Sequence, residues 1–212
     1  MSGYRIGIVG CGGIAHRHID GYRKVAHDLG EVVAGCDPNT ETLAAYCDKH
    51  EIANRFTEPA ELIASGEVDV ISLLTPPAVR DDVIFPAIEK GIHLLVEKPF
   101  GETLGDAIRF VQAAEEAGVV MAVNHQMTYT PDILGILDRV GAGEIGELRH
   151  IAHDHYQNRT TVRGWRADEQ RLEISIFSIH LIDRIRLIAG CPPKRVSAAA
   201  RSWNADVKGE TF

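Results

Sequence analysis

The chain has 212 residues, of which 45% are hydrophobic and 25% charged, and its formal net charge is −8. This composition is typical of a globular protein and excludes disordered, collagen-like and membrane-spanning chains. The length allows one large domain or two smaller ones. The acidic residues are scattered and no basic run is present, so we expect neither nucleic acid nor a membrane as a partner.

The N-terminus and the cysteines favour a cytoplasmic protein. The first residues lead directly into a predicted strand, without the basic and apolar segments of a signal peptide. The four cysteines show no CxxC spacing, which favours reduced thiols over a disulfide framework or a zinc site. Cys11 lies in a glycine-rich turn, where it is either an oxidisable thiol or a small residue that fits.

Strands and helices alternate through the first part of the chain. The strands are nearly all apolar, as in a parallel sheet that helices cover on both faces. We therefore predict a Rossmann-type α/β domain over residues 1–124. Its predicted elements are strand 4–9, helix 14–29, strand 31–36, helices 41–50 and 59–65, strand 68–74, helix 80–90, strand 92–96, helix 104–117 and strand 119–123.

The pattern then changes to that of a second, α+β domain over residues 125–212. A sheet of only two recognisable strands is marginal without further strands or a covering partner, so we expect this domain to be incomplete. In chain order the sequence predicts helix 132–140, a glycine-rich turn at 141–146, strand 147–156, helix 172–189 and strand 195–203.

The first strand is followed by a phosphate-binding turn. Gly10, Gly12 and Ala15 form a G-x-G-x-x-A pattern between a predicted strand and a predicted helix. Gly10 permits the tight turn, Gly12 admits the pyrophosphate to the backbone, and Ala15 permits close packing of the helix. The helix N-terminus offers amide groups to the phosphates, so Gly13 and Ile14 are also predicted to bind the cofactor.

Asp37 ends the second predicted strand, where a carboxylate can accept hydrogen bonds from both hydroxyls of the adenosine ribose. Its charge would repel a 2′-phosphate, and no arginine follows at positions 38–40 to neutralise one. NAD is therefore favoured as the cofactor, with NADP as the alternative. Because it precedes a proline, Asp37 is also explained as a turn residue.

Two further segments follow apolar strands at the edge where open α/β sheets bind ligands. Thr75 and Pro76 follow one of them, although a plain turn explains these two residues equally well. Glu97 and Lys98 follow the next and precede Pro99, which can hold a rigid and even a cis turn. Lys98 then donates to a substrate oxygen as hydride moves, or else forms a solvated ion pair.

His180 and Asp183 share one face of the helix predicted at 172–189. A histidine on an otherwise apolar helix needs a polar partner or an aqueous cleft. His180 is therefore either a core histidine with a partner or a functional group. Asp183 would orient it, or pair with Arg184 or Arg186.

The other histidines do not predict a metal site. His153 and His155 share one face of a predicted strand, with His150 nearby, but no third ligand is in view. His16 and His18, near the start of the first helix, are predicted to face solvent or to lie beside the cofactor rather than to be catalytic.

Taken together, these motifs resemble the Gfo/Idh/MocA oxidoreductases over essentially the whole chain. The resemblance implies NAD(P)-dependent interconversion of an alcohol and a ketone on a sugar, cyclitol or related polyol. It implies that His180 takes the hydroxyl proton and Lys98 stabilises the developing oxygen charge, with the nicotinamide near Lys98, Asn124 and Trp165. The matching segments are GIVGCGGIA at 7–15, Asp37, TPP at 75–77, EKP at 97–99, GEIGEL at 143–148, WRAD at 165–168 and HLIDRIRLIAG at 180–190.

The chain departs from the family pattern in two side chains and in length. The family usually carries D-x-G-x-H ending at the histidine, whereas Ile176 holds the carboxylate position here, and Arg80 replaces a common histidine. Members usually continue well beyond residue 212, so we expect a fragment or a short form that needs a partner subunit, with a homo-oligomer formed through the second domain. The missing carboxylate leaves an alternative, a catalytically silent NAD(H)-binding regulatory or sensor protein.

Overall fold

The chain divides between Asn124 and His125 into two compact units. We call the part up to Asn124 the N-terminal unit and the part from His125 the C-terminal unit. The computed structural model describes residues 3–25, 28–158 and 160–211.

Six parallel strands form the sheet of the N-terminal unit, in the order β3-β2-β1-β4-β5-β6. This is the strand order of the Rossmann fold, and it places the topological switch point between β1 and β4. The predicted parallel α/β fold is confirmed. The strands are β1 Tyr4–Val9, β2 Gly30–Cys36, β3 Asn54–Phe56, β4 Val70–Leu73, β5 His93–Glu97 and β6 Met121–Asn124.

Among the described residues of this unit, five α-helices connect the strands, close to their predicted positions. The predicted helix at 14–29 includes residues 26 and 27, which lie outside the described part of the chain. The longest described helix, α5, has 14 residues, which is too few to cross a bilayer. The helices are α1 Ala15–Val25, α2 Thr40–His50, α3 Pro59–Ala64, α4 Asp81–Glu89 and α5 Leu104–Ala117.

Two apolar clusters pack the helices onto the sheet. Ile8 joins the cluster that holds Ile19 of α1 and Tyr46 of α2. Val9, the next residue of β1, joins the other cluster, which includes Phe110 of α5. Neighbouring strand residues point to opposite faces of a sheet, so the helices cover the N-terminal sheet on both faces.

The described part of the C-terminal unit contains two α-helices, α6 Pro131–Gly141 and α7 Ile179–Ala189. The single helix predicted at 172–189 is wrong, because a π-helical segment, Leu172–Phe177, precedes α7. The Ser178 amide donates to the carbonyl of Glu173 at 2.6 Å, five residues back, and its hydroxyl donates to the Glu173 carboxylate at 2.9 Å. These bonds widen the last turn and separate it from α7.

The strands predicted at 147–156 and 195–203 are also wrong, since the structure assigns no strand to the described residues of either segment. Alternating apolar residues define two faces, but a strand also needs a neighbouring strand to pair its backbone groups. Tyr156 is 87% exposed and Trp203 is 72% exposed. The described part of the C-terminal unit therefore does not cover the apolar face that the alternation indicates.

Candidate functional site

The carboxyl edge of the N-terminal sheet gathers the residues predicted to bind a dinucleotide. Gly10 follows β1, Asp37 follows β2, Thr75 lies just beyond β4, Lys98 follows β5, and Asn124 ends β6. Parallel strands end at one edge, so these residues lie along a single edge that includes the switch point.

The glycines of the turn differ in how much space surrounds their backbone. Gly10 has φ +96°, and a Cβ there would lie 3.1 Å from the carbonyl carbon of Leu74 and 3.2 Å from the nitrogen of Thr75. Only glycine lets the turn after β1 approach the end of β4 so closely. By contrast, a Cβ at Gly12 or Gly13 would meet no atom of the described residues within 4 Å. This open backbone fits the approach of a pyrophosphate.

Helix α1 begins directly after this turn. Ala15 is fully buried, and its carbonyl accepts a hydrogen bond from the hydroxyl of Tyr46 at 3.3 Å. The carbonyl of Ile14 accepts from the amides of Arg17 and His18, at 3.0 and 3.2 Å, which closes the first turn. The first amides of a helix have no partner within it, so this end of α1 suits an anion.

Asp37 is fixed by backbone amides on both of its carboxylate oxygens. Oδ2 accepts from the amide of Cys11, and Oδ1 accepts from the amide of Asn39, each at 2.9 Å. The carboxylate therefore shapes the turn, and each oxygen keeps a second lone pair for a ribose hydroxyl. The turn interpretation and the ribose interpretation of Asp37 are thus compatible.

Cys11 is a packing residue of the turn. Its side chain is 2% exposed. Burial, with smaller contributions from the charges of Cys47 and Asp37, raises the pKa of the Cys11 thiol to about 12. A thiol with so high a pKa stays protonated and reacts slowly, which favours the second interpretation of Cys11.

Thr75 and Pro76 form the turn beyond β4. The hydroxyl oxygen of Thr75 is buried and has no hydrogen-bond partner among the described residues. Pro76 then leads into a short 3₁₀ turn at Pro77–Val79. A buried hydroxyl without a partner is uncommon and needs an explanation. A ligand at the switch point would supply that partner.

Arg80 fastens this turn to the loop that follows β5. Its side chain is 1% exposed and donates to the carbonyl oxygens of Thr75 at 2.8 Å, Phe100 at 3.1 Å and Pro99. Burial lowers the pKa of the Arg80 guanidinium to about 10. The sequence marked Arg80 only as a replacement for a family histidine. Its contacts show a buried clamp that holds the backbone next to Lys98.

Glu97 anchors the segment that carries Lys98. The Lys98–Pro99 peptide bond is cis. Glu97 accepts from the amide of Lys98 at 3.1 Å, from Nε2 of His18 at 3.0 Å and from Nδ2 of Asn124 at 2.5 Å. Burial alone would raise the pKa of Glu97, but the hydrogen bonds from His18 and Asn124 outweigh it and hold this pKa below its usual value. Glu97 is therefore an ionised anchor for its neighbours.

These contacts belong to a longer chain of polar side chains, Tyr22, Ser72, His18, Glu97 and Asn124. We call it the buried polar chain because its three central members are buried. The hydroxyl of Tyr22 donates to Ser72 Oγ at 3.0 Å, and Ser72 Oγ lies 3.2 Å from His18 Nδ1. His18 is 9% exposed, so of its two predicted environments the solvent-facing one is wrong. His18 and Tyr22 lie four residues apart and therefore share one face of α1. This spacing was the sequence feature that could have indicated that the two side chains lie together.

We expect His18→Phe to lower the free energy of unfolding by about 1–3 kcal/mol, because a buried carboxylate loses a hydrogen bond. In the unchanged chain the pKa of Glu97 lies below its ordinary value of 4.5, so its stabilisation is present above that pH and is lost as the pH falls through the folded-state pKa. In His18→Phe this loss should begin at higher pH. Urea unfolding across the acidic range measures both effects.

The matched control is His18→Gln, whose amide keeps a donor for Glu97. It should retain most of the stability and of the acid tolerance. Equal unfolding curves for the Phe and Gln variants at every pH would contradict the anchoring role of His18.

The C-terminal unit holds a second group of polar side chains around α7. His180 lies in the first turn of α7 and is 5% exposed. Its ring packs edge-on against that of His125, with ring centroids 5.4 Å apart and an interplanar angle of 72°. Asp183 contacts Nδ1 of His125 and Nη1 of Arg186, each at 3.4 Å, while Arg184 donates to a backbone carbonyl. His125, a polar residue directly after β6, was not among the residues predicted from the sequence.

The remaining predicted cofactor residue, Trp165, also lies in the C-terminal unit. It packs against the apolar cluster of Leu172, Ile176 and Val207, and the guanidinium of Arg166 lies 4.7 Å from its ring centroid. Ile176 is 1% exposed, so a core side chain fills the position of the family carboxylate. The roles of Trp165 and His180 toward the nicotinamide stay predictions.

Histidine pairs occur elsewhere, without a metal-binding arrangement in the described ranges. His16 Nδ1 lies 2.7 Å from His50 Nε2, and the rings of His153 and His155 lie 6.5 Å apart. Within residues 3–25, 28–158 and 160–211, no group of three or more His, Cys, Asp or Glu side chains could hold a metal ion.

Relatives of known name resemble the chain along almost its whole length. The 1,5-anhydro-D-fructose reductase of Ensifer adhaerens is 29% identical, over 97% of this chain and 62% of its own length. The D-apiose dehydrogenase of Paraburkholderia graminis is 25% identical, over 96% of this chain and 54% of its own length. The chain thus spans less than two thirds of either relative.

A solved structure shares the fold. The crystal structure of an oxidoreductase from Agrobacterium radiobacter, in complex with NAD⁺, L-tartaric acid and magnesium, matches with a TM-score of 0.86 at 22% identity. The match covers 99% of this chain and 61% of that one.

Two family models match consecutive parts of the chain. Residues 4–125 match the Gfo/Idh/MocA model described as an oxidoreductase family with an NAD-binding Rossmann fold. Residues 133–211 match the C-terminal domain of the same family. The first match alone covers more than half of the residues, and the chain therefore belongs to the Gfo/Idh/MocA family of NAD-binding oxidoreductases.

Proposed function

We propose that the protein is an NAD-dependent oxidoreductase that interconverts a hydroxyl and a carbonyl group on a sugar, cyclitol or related polyol. The observation that carries this proposal is the placement of Lys98 on the sheet edge that also carries the open glycine turn. The names of the two relatives, a reductase of an anhydro-sugar and a dehydrogenase of a sugar, support the substrate class.

The residues along this edge fit NAD. The open backbone at Gly12 and Gly13 takes the pyrophosphate, and Asp37 takes the adenosine ribose. The Thr75 hydroxyl, which has no hydrogen-bond partner among the described residues, gains an acceptor. Asn124, fixed by Glu97, presents its remaining polar groups at the end of β6. Bound NAD supplies the hydride acceptor for oxidation, and NADH supplies the donor for reduction.

The proposed catalytic residues are Lys98 and His180. His180 accepts the proton of the substrate hydroxyl, and the ammonium group of Lys98 donates to the oxygen on which negative charge develops. Glu97 accepts from the amide of Lys98, and Arg80 donates to the carbonyls of the two residues that follow it, so the backbone that carries the Lys98 amine is held on both sides.

The test is turnover with a panel of cyclitols and sugars, using NAD and NADP. We expect substrate-dependent formation of NADH with at least one of them. A folded chain that binds NADH tightly but turns over no substrate would overturn the proposal and identify a silent NAD(H)-binding protein.

Asp37→Asn should reduce the preference for NAD over NADP. The amide removes the charge that repels a 2′-phosphate and weakens the ribose contact, so we expect about tenfold weaker NADH binding, with NADPH binding unchanged or tighter. Its side-chain oxygen still accepts one backbone amide, so the turn survives. Fluorescence titration with NADH and NADPH measures both affinities.

Asp48→Asn is the control for this variant. Asp48 is an exposed acid on α2 that pairs with Arg55, away from the glycine turn. It should leave both affinities unchanged. An unchanged ratio of NADH to NADPH affinity in Asp37→Asn would refute the ribose role.

We further propose that the C-terminal unit forms a homo-oligomer. Three large apolar side chains of this unit, Tyr156, Val196 and Trp203, are 87%, 78% and 72% exposed. A second copy covering them would remove this surface from water. Sedimentation velocity measures the oligomeric state, and a monomer at all concentrations would refute the proposal.

We also propose that the protein is located in the cytoplasm. The four free cysteines support this location.

A further inference from the structure

Arg80 joins two turns of the N-terminal sheet edge through a single guanidinium group. It directly precedes α4, and its side chain is 1% exposed. Nη2 donates to the carbonyl oxygen of Thr75 at 2.8 Å. Nη1 donates to the carbonyl oxygens of Phe100, at 3.1 Å, and of Pro99. One planar group therefore links the turn beyond β4 to the loop that follows β5.

The turn beyond β4 lies against the glycine turn. A Cβ at Gly10 would come within 3.1 Å of the carbonyl carbon of Leu74 and 3.2 Å of the nitrogen of Thr75. The amide of Leu74 also donates to the carbonyl of Val9 at 2.8 Å. A dinucleotide at the glycine turn would therefore lie against the segment that Arg80 holds.

The loop after β5 is held by a second set of contacts. The amide of Lys98 donates to Glu97 Oε2 at 3.1 Å. The ring of Phe100 packs against that of Phe110 on α5, with centroids 5.5 Å apart and an interplanar angle of 69°. The hydrogen bonds from Arg80 add the link between this loop and the turn beyond β4. The contacts thus run without a gap from the glycine turn to the backbone of Lys98.

The charge of Arg80 has no carboxylate partner among the described residues, since all of its hydrogen bonds go to carbonyl oxygens. Its Nε is buried and has no hydrogen-bond partner among them either. Burial lowers the pKa of this guanidinium to about 10, although the charge of Glu97 acts in the opposite direction. Burying a cation without a paired acid costs free energy. A side chain that carries such a cost and joins two ligand-binding turns indicates a functional role.

We infer that Arg80 is a positioning residue, which sets the spacing between the bound dinucleotide and the amine of Lys98. A dinucleotide at the glycine turn restricts the turn beyond β4, and the guanidinium passes this restriction to the loop that carries Lys98. Lysine cannot replace Arg80, because an ammonium group lacks the planar fork that reaches carbonyls on both turns. The inference rests on the proposed function for its catalytic meaning only.

The direct test measures backbone hydrogen exchange of residues 98–103 with and without saturating ADP. ADP carries the adenosine and two phosphates of NAD but lacks the nicotinamide riboside, so it occupies the glycine turn without reaching Lys98. In the unchanged chain we expect ADP to slow exchange of this loop by at least about fivefold, the lower end of common coupling between sites. In Arg80→Met and Arg80→Lys the change should be less than about twofold, because no side chain bridges both turns.

Arg55→Met is the matched control for these variants. Arg55 also donates to a backbone carbonyl, that of Ile52 at 3.3 Å, and it pairs with Asp48 at 2.6 Å. It lies on β3, however, which three strands separate from β5. This variant should keep the full response of the loop to ADP.

Turnover supplies a second measurement. Arg80→Lys should lower kcat by about tenfold to a hundredfold, as for a slightly misplaced catalytic group, with the KM for NAD within about threefold. Because Arg80 acts through Lys98, the same change should lower kcat by less than about twofold in a chain that already carries Lys98→Met. A merely structural role would lower kcat by the same factor in both backgrounds.

The outcomes separate this inference from the proposed function. The inference is overturned if ADP leaves exchange of the loop unchanged in the unmodified chain, or if both Arg80 variants keep the full response. A loop that responds to ADP only when Arg80 is present, in a chain that turns over no sugar or polyol, would support the inference and overturn the proposed function.

Discussion

Replacing Lys98 by methionine is expected to lower kcat by about a hundredfold to a thousandfold, the usual effect of removing a donor that stabilises negative charge on a reacting oxygen. Methionine keeps a long unbranched side chain, and the backbone amide of residue 98 still donates to Glu97. The hydrogen bonds of Glu97 and the buried polar chain should therefore persist. Affinity for NADH should change by no more than about twofold, because the removed amine is proposed to contact the reacting oxygen of the substrate and not to bind the cofactor. Steady-state kinetics and NADH fluorescence measure the two effects.

Lys90→Met provides the matched control. Lys90 is an exposed lysine directly after α4. The substitution removes the same kind of amine at a position away from the sheet edge that carries Lys98. Its kcat should equal that of the unchanged chain. Full turnover by Lys98→Met would contradict the catalytic assignment, and a large loss of NADH affinity would show that Lys98 acts on the cofactor.

The helices and strands of the N-terminal unit were predictable where local chemistry marks their ends. Helix α5 was predicted to the residue, because Thr103 and Asp106 form a reciprocal capping box and Gly118 ends the helix with φ 68°. Strand β3 was missed. Its three residues, Asn54–Phe56, are too few to show a periodicity, and the strand exists because β2 pairs with it.

The C-terminal unit was predicted less well because its signals are not local. The apolar run before His180 resembles an α-helix, yet the bonds between Glu173 and Ser178 give it a π-helical segment. The alternating segments at 147–156 and 195–203 need strand partners that the sequence pattern does not identify.

The residues of the candidate site also differ in whether the sequence alone could predict them. Gly10, Asp37 and Lys98 were identifiable because a residue type and a strand end coincide, and the fold then brings strand ends together. Arg80 and His18 act through contacts with carbonyls and side chains far along the chain, including Glu97. A single sequence does not specify such partners, since tertiary packing decides which polar side chains are buried together.

The glycine turn offers a pair of substitutions that separates folding from binding. Gly10→Ala should lower the free energy of unfolding by about 1–3 kcal/mol, because alanine is strained at positive φ. Its Cβ would also press on the backbone of Leu74 and Thr75. Gly12→Ala should change stability by less than about 0.5 kcal/mol, since its methyl group enters open space.

NADH binding should be weakened more by Gly12→Ala than by Gly10→Ala, the opposite of the order expected for stability. Gly12→Ala places a methyl group where the pyrophosphate approaches the backbone, so we expect at least about tenfold weaker binding. Gly21→Ala is the control, because its Cβ also meets no described atom within 4 Å, but this residue lies within α1. That variant should bind NADH normally and unfold no more easily, since alanine favours a helix. Normal NADH binding by Gly12→Ala would contradict the placement of the pyrophosphate. Unchanged stability of Gly10→Ala would contradict the close approach of the two strand ends on which the whole edge is built.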